Sequence, residues 1–138
     1  MNFNNFTIKS QEAVQEAVNL VQSRGQQAIE PEHLMAGLLK VGENVTNFIF
    51  QKLGINGQQI ETVLDRQIAS LPKVSGGEAY LSRSANEVLQ KALEVSKELG
   101  DEYVSLEALL LALLNVKSTV ATILKDAGLT DKELRAAI

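Results

Sequence analysis

The sequence predicts an all-α protein built from two related halves. Apolar residues recur at helical spacing, as at Ala13, Ala17 and Val21. Only two of the 138 residues are proline, which favours long helices because proline breaks the helical hydrogen-bond ladder. The pattern IEPEHLMAGLL at 29–39 returns as VSLEALLLALL at 104–114. Together these observations indicate helices in a duplicated arrangement.

The duplication extends over most of each half. The first copy matches the second at a constant spacing, equal to the number of residues from Ala17 to Ala92, up to the loop near Gly42. We call this spacing the repeat shift. After that loop the spacing is one residue shorter, which the deletion of a single loop residue in the second copy explains. Matches held in register over this length indicate a repeated structural unit. Before the loop the repeat shift pairs Ala17 with Ala92, Gly25 with Gly100, Glu32 with Glu107 and Leu34 with Leu109.

The first helix of each half is bounded by residues that suit helix ends. Thr7 stands at the N-cap, where its hydroxyl can accept an unpaired backbone N–H. Gly25 stands at the C-terminal stop, where a left-handed backbone costs little without a Cβ. The second copy is predicted to start near Ser82 and to stop at Gly100.

The second helix of each half is almost wholly apolar, so we expect it to be the buried centre of that half. Glu30 and its counterpart Ser105 occupy the cap position, and Pro31 suits the first helical position. Glu32 and Glu107 lie in the first turn, where the helix dipole favours a carboxylate.

The remaining segments complete each half. The stretches NVTNFIFQKLG and STVATILKDAG predict third helices that end at glycine, and fourth helices are predicted from Asn56 and Thr130. Between the halves, LPKVSGGEAYL at 71–81 lacks helical period and predicts an extended crossover. We therefore expect one domain over 1–138, with repeats at 6–70 and 82–138. The last helix stops in mid-pattern at Ile138, which suggests the front piece of a longer protein.

Composition excludes several classes of function. The net charge is −4 and the 13 Lys and Arg residues are scattered, which argues against nucleic-acid binding. The chain has no cysteine, which excludes disulfides and thiolate metal sites and fits a reducing compartment. The N-terminus does not read as a signal peptide. The longest apolar run, 108–114, is far short of the roughly 20 residues that span a bilayer.

The sequence carries no recognisable catalytic motif. It has no phosphate-binding G-x-x-x-x-G-K-[ST] loop, and its single histidine, His33, cannot form a two-histidine metal site. The second copy has Ala108 at the position of His33, which favours a structural role in the first turn. Glu32, Glu107 and Asp101 are conceivable acid–base groups, but their repeated positions at helix starts favour dipole complementarity. We therefore expect no enzyme activity, no metal and no cofactor.

Two helical halves leave a groove at their junction, and such seams are common binding sites. An apolar groove edged by Thr7, Asp101 and Glu107 would suit an extended, partly hydrophobic peptide with basic or polar flanks.

The segments FTIKSQEAVQEA, IEPEHLMAGLL, LPKVSGG and VSLEALLLALL resemble the N-terminal domain of the Clp ATPases over 6–138. IEPEHLM and LPKVSGG are most similar to the ClpB branch, the protein disaggregases. The approach to the second half, Tyr80–Arg83, follows no family pattern that we can use.

The resemblance implies a double Clp N-terminal repeat without ATPase activity, joined by a flexible linker to a hexameric AAA+ ring in the cytoplasm. It implies a role in engaging unfolded or aggregated polypeptide, which the ring threads with ATP in cooperation with the DnaK chaperone system. Thr7, Asp101 and Glu107 match family positions implicated in substrate engagement. We expect the isolated domain to be a monomer, with no nucleic-acid or membrane partner.

An alternative function stays open at this point. An adaptor-docking platform like that of ClpA or ClpC would bind one folded partner at a defined polar patch. A substrate-binding module would instead bind unfolded chains weakly through apolar contacts.

Overall fold

The computed structural model describes residues 2–138. Within them the chain forms eight helices and two short strands, which confirms the all-α class. The helices are α1 (Ile8–Ser23), α2 (Pro31–Val41), α3 (Glu43–Leu53), α4 (Gly57–Ser70), α5 (Arg83–Glu98), α6 (Leu106–Asn115), α7 (Thr119–Asp126) and α8 (Asp131–Ala137), and the strands are β1 (Ala28–Ile29) and β2 (Tyr80–Leu81).

The helices fall into two matching sets of four. Helices α1 and α5 are both 16 residues long, and the repeat shift carries the start of α1 onto the start of α5. It also carries the start of α2 onto the start of α6. The starts of α4 and α8 are related by the spacing that is shorter by one, as the deletion near Gly42 requires. The two four-helix halves predicted from the repeat are therefore present.

The predicted helix ends are formed by the expected residues. Thr7 Oγ1 accepts the Ser10 N–H at 3.1 Å, and the Ser82 and Ser105 hydroxyls accept equivalent N–H groups at the starts of α5 and α6. Gly25 has a φ of +67° at the end of α1, in the left-handed region that favours glycine. Each cap stabilises its helix by about 1 kcal/mol.

The second helices form the centre of the core, as predicted. Every residue of α6 from Leu106 to Leu114 is buried except Glu107, which is half-buried. In α2 the side chains of Leu34, Met35 and Leu38 are fully buried. Burial of one such side chain contributes about 1.5–3 kcal/mol, so these two helices supply much of the hydrophobic stabilisation.

Two parallel strand contacts join the halves, and the sequence analysis did not predict them. Strand β1 pairs with β2 in the register Ile29 to Leu81, and a separate bridge joins Phe6 to Val104. The repeat shift carries Phe6 onto Leu81 and Ile29 onto Val104, so the two contacts are equivalent and each half supplies the strand partner of the other.

This pairing explains the segment Tyr80–Arg83, for which the sequence offered no pattern. The segment contains strand β2, the N-cap Ser82 and the first residue of α5. It therefore joins the strand contact between the halves directly to the first helix of the second half.

The crossover between the halves contains no helix between α4 and β2, as predicted. It is held by three consecutive residues, Gly25, Gln26 and Gln27, which we call the fastening segment. The segment makes five hydrogen bonds to the end of α4 and the crossover: Val74 N–H to Gly25 O at 2.9 Å, Gln26 Nε2 to Ile68 O at 2.7 Å and to Leu71 O at 3.4 Å, Gln27 Nε2 to Glu78 O at 3.2 Å, and Tyr80 N–H to Gln27 O at 3.1 Å.

No single helix among residues 2–138 has the length and hydrophobicity needed to cross a membrane. Only α6 and α7 taken together reach that length and composition, and the two helices are bent by 98° relative to each other.

Candidate functional site

The single histidine has a structural environment. His33 is fully buried, and its Nδ1 accepts the Glu30 backbone N–H at 2.9 Å. Because Nδ1 is an acceptor, Nε2 carries the proton and donates to Gln26 Oε1 at 2.7 Å. Gln26 in turn donates to the Ile68 carbonyl at the end of α4. His33 therefore orients the central residue of the fastening segment.

The surroundings of His33 keep it neutral. Burial lowers its pKa from 6.5 to about 4, and the positive charge of Arg24 acts in the same direction. Both ring nitrogens are already bonded and the side chain has no access to solvent, so His33 cannot exchange a proton with a substrate. This agrees with the structural role expected from Ala108 in the second copy.

The two first-turn carboxylates differ in environment although their sequence positions match. Glu32 is buried, which raises its pKa, and the negative charge of Glu30 adds to this effect. Glu107 is half-buried in the first turn of α6, so it can reach a ligand. Of these two matching glutamates, only Glu107, in the second half of the protein, has an accessible carboxylate.

Thr7 is half-buried and its hydroxyl is already engaged. Its Oγ1 accepts the Ser10 N–H at 3.1 Å and donates to Ser10 Oγ at 2.9 Å. The Thr7 backbone N–H donates to the Val104 carbonyl at 3.0 Å. Thr7 therefore positions the start of α1 against the segment that leads into α6.

Asp101 is exposed and directly follows Gly100 at the end of α5. Its backbone N–H donates to the Ser96 carbonyl at 2.8 Å, which fixes the turn after the helix.

Glu107 lines a shallow cleft of about 330 Å³ between the halves, which we call the seam cleft. One wall comes from α3 of the first half and the other from α6 and the end of α8. Apart from Glu107 and Asn44, its lining is apolar, with Val45, Phe48, Ile49, Ala137 and Ile138. The cleft combines an apolar surface with one carboxylate.

The structure brings the three predicted site residues together only in part. Thr7 contacts Val104, which lies three residues after Asp101 and three before Glu107. Thr7 and Asp101 are not among the residues that line the seam cleft. Their predicted role in binding remains a prediction.

Sequence reasoning missed Phe48, whose side chain is 62% exposed in the seam cleft. Lys52 Nζ lies 5.8 Å from the centre of its ring. The signal was the run Phe48, Ile49 and Phe50, because three consecutive apolar side chains cannot all lie on one face of a helix. Ile49 and Phe50 are buried, so Phe48 is the one left outside.

No group of three or more His, Cys, Asp or Glu side chains within residues 2–138 is arranged to hold a metal ion. The accessible chemistry of the seam is therefore that of apolar contact and of a carboxylate acceptor.

Comparisons with known proteins agree with this architecture. The family profile described as the Clp repeat N-terminal domain matches residues 5–127. The chain is 80% identical over its whole length to the chaperone protein ClpB of Bacteroides thetaiotaomicron and 51% identical to that of Porphyromonas gingivalis. It spans 16% of the length of each of these relatives.

Solved structures show the same fold at lower identity. The Hsp104 N-terminal domain from Candida albicans matches with a TM-score of 0.83 and 22% identity, covering 97% of this chain and 89% of that one. The ClpV N-domain in a complex with a VipB peptide matches with a TM-score of 0.76 and 19% identity, covering 96% and 83%. The chain therefore belongs to the Clp repeat N-terminal domain family, in the branch found at the N-terminus of ClpB chaperones.

Proposed function

We propose that this chain binds unfolded or aggregated polypeptide at the seam cleft and helps to transfer it to an ATP-driven AAA+ ring. Glu107 is proposed to contact the bound polypeptide within the cleft, and Thr7 and Asp101, which do not line the cleft, are proposed to extend the binding surface beyond it. The chain itself is proposed to have no catalytic activity and to need no cofactor.

The exposed apolar surface of the seam cleft carries the proposal. The Phe48 side chain is 62% exposed, although the core residues around it are almost fully buried. Contiguous exposed apolar surface marks an interaction site more often than scattered apolar residues do. Glu107 at the same cleft can accept hydrogen bonds from a polypeptide or pair with its cationic side chains.

The fold of the relatives is compatible with such a ligand, since the ClpV N-domain has been solved in complex with a VipB peptide. That protein is only 19% identical, so it supports the capacity of the fold and does not identify a ligand for this chain.

The features of the longer protein are part of the same proposal. We infer one domain over 1–138, with repeats at 6–70 and 82–138 and a linker at 71–81, attached to AAA+ modules in a cytoplasmic hexamer that works with the DnaK system. Weak binding by one domain suffices there, because several linked copies raise the effective concentration.

A titration monitored by NMR tests the proposal. We expect reduced, carboxymethylated α-lactalbumin, a permanently unfolded protein, to shift backbone amides at 44–49 and at Glu107. Phe48→Ser should weaken this binding severalfold because it removes exposed apolar area. Val74→Ser is the matched control, since Val74 is 47% exposed on the crossover and lies outside the cleft.

Two results would contradict the proposal. One is equal weakening by Phe48→Ser and Val74→Ser, which would indicate a general surface effect. The other is no shift with the unfolded protein but tight binding of a folded adaptor, which would support the adaptor-docking alternative.

A further inference from the structure

The crossover begins and ends at neighbouring points of the first half. At its start the Leu71 carbonyl accepts Gln26 Nε2 at 3.4 Å, and at its end the Tyr80 N–H donates to Gln27 O at 3.1 Å. Gln26 and Gln27 are consecutive residues, so both ends of the crossover are fastened to one short stretch of chain. The crossover is therefore a loop that returns to its starting point.

Residues 72–78, which we call the hinge loop, make this return possible. Gly76 and Gly77 have φ values of +78° and +89°, in the region that favours glycine. All of the hinge loop is exposed, and none of its residues belongs to the hydrophobic core. Straightening the hinge loop would break its bonds to the fastening segment through Val74 and Glu78, but it would expose no core side chain.

The contacts that join the two halves do not involve the hinge loop. Helix α2 contacts α6 and α7, α3 contacts α8, and α4 contacts α7. The strand contacts pair Ile29 with Leu81 and Phe6 with Val104. A second copy of the chain offers the same helices and the same strand partners. Two chains that exchanged their second halves would therefore form every one of these contacts again.

The hinge loop sets the balance between one chain closed on itself and two chains that have exchanged halves. A short flexible connection holds the joined parts at a mutual concentration in the millimolar range, which favours closure at micromolar protein concentration. The bonds of Val74 and Glu78 to the fastening segment favour closure further. A straight hinge loop would reach roughly 25 Å, far enough to carry the chain into a neighbouring copy.

We propose that the inner face of each half also binds the opposite half of a second copy, so that two chains form a dimer by exchanging halves. The hinge loop and the fastening segment normally select the closed single chain. The partner is a second copy of this chain, and the surfaces involved are those that the closed chain buries between its halves. The proposal goes beyond polypeptide binding and does not depend on it.

A rigid hinge loop tests the proposal. Seven prolines in place of residues 72–78 form a semi-rigid rod of about 22 Å, and proline cannot adopt the positive φ of Gly76 and Gly77. We expect this variant to elute as a folded dimer, with the mass of two chains by light scattering. Seven alternating glycine and serine residues in the same place are the matched control, which should stay a monomer because a flexible chain can turn back.

A pair of cysteines distinguishes exchange from association of two closed chains. Ala28→Cys and Tyr80→Cys lie at paired positions of β1 and β2, and the chain has no other cysteine. The usual spacing of neighbouring strands suits a disulfide. After oxidation, the disulfide lies within one chain in the closed form and joins two chains in the exchanged dimer. We expect the proline variant with these cysteines to migrate as a covalent dimer on a non-reducing gel.

The natural hinge loop provides a second measurement. The chain with the two cysteines is unfolded in urea, refolded at increasing protein concentration and then oxidised. Covalent dimer should be absent at about 10 μM and should appear as the concentration approaches about 1 mM, where a second copy competes with closure. If the proline variant does not fold, as judged by circular dichroism, this refolding series alone decides.

Three results would overturn the proposal. The first is a folded monomer with the proline hinge loop, and the second is a dimer of that variant whose disulfide lies within each chain. The third is the absence of covalent dimer after refolding of the natural hinge loop at about 1 mM. None of these experiments contains an unfolded ligand, so they leave the proposed function untouched whichever result is obtained.

Discussion

At the scale of single residues, His33 shows how one position can differ in role between two copies of a repeat. Its ring accepts the backbone N–H of the cap residue Glu30, whereas in the second half the cap residue Ser105 accepts the Ala108 N–H with its hydroxyl. The sequence predicts that His33 is structural, since Ala108 occupies its place in the other copy. Its link through Gln26 to Ile68 could not be predicted, because that contact depends on how α4 ends.

The buried His33 makes stability dependent on pH. Above pH 6.5 the ring is neutral in both the folded and the unfolded chain. Between pH 6.5 and about 4 only the unfolded chain binds the proton, so stability falls as the pH falls. A pKa shift of this size costs about 3 kcal/mol of unfolding free energy, which urea unfolding at a series of pH values will measure.

A double substitution isolates the contribution of His33. Glu30→Ser with His33→Ala copies the cap of α6, so it should remove this part of the pH dependence while α2 keeps a cap. Glu32 acts in the opposite direction, because its raised pKa favours the folded chain when the carboxyl is protonated. An unchanged slope between pH 6.5 and 4 in the double variant would contradict the assignment.

At the scale of helices, the contact of α1 with α2 depends on Gly37. A Cβ at this position would overlap the backbone carbonyl of Ala13. The close approach of the two helices therefore requires a glycine inside α2, despite the low helix propensity of glycine. The second half has Ala112 at the equivalent position, so this contact distinguishes the halves.

We expect Gly37→Ala to destabilise the chain by about 1–3 kcal/mol, although alanine normally stabilises a helix interior. Denaturant unfolding monitored by circular dichroism measures the effect. Ala13→Gly in the same chain should not restore stability, because the clash is with a backbone carbonyl and not with the methyl group. Stabilisation by Gly37→Ala would show that the helices can separate without cost.

The helices were predictable from the sequence and the strands were not. Cap residues such as Thr7 and Ser105 can be recognised in the sequence, because their hydroxyls accept the unpaired backbone N–H groups of the first helical turn. Strands β1 and β2 are two residues long, so they show no alternation that sequence reasoning could detect. Glu107 was named from its sequence position and lines the seam cleft, but its role in binding stays a prediction; the exposure of Phe48 depends on the packing of α3, which the sequence does not give.

At the scale of the whole molecule, the two halves share one continuous hydrophobic core. Leu34 and Leu38 of α2 and Leu109 and Leu113 of α6 all belong to it. The crossover contributes little to this core, since the loop around Gly76 and Gly77 is exposed. Packing between helices, and not the covalent connection, should hold the halves together.

Cleavage of the crossover tests this expectation. With a protease recognition sequence inserted between Gly76 and Gly77, we expect the cut halves to elute together in size-exclusion chromatography. Their melting temperature should fall and become dependent on protein concentration, because unfolding then also separates two chains. The same insertion left uncut is the control, and separation of the halves without denaturant would disprove the shared core.

The crossed strand contacts have a consequence for synthesis on the ribosome. The first half cannot complete its own backbone pairing, because Ile29 needs Leu81 and Phe6 needs Val104. Translation delivers residues in order. The start of α1 therefore lacks its backbone partner until Val104, just before α6, has emerged from the ribosome. The first half of a nascent chain therefore completes its backbone pairing only after the second half has been synthesised.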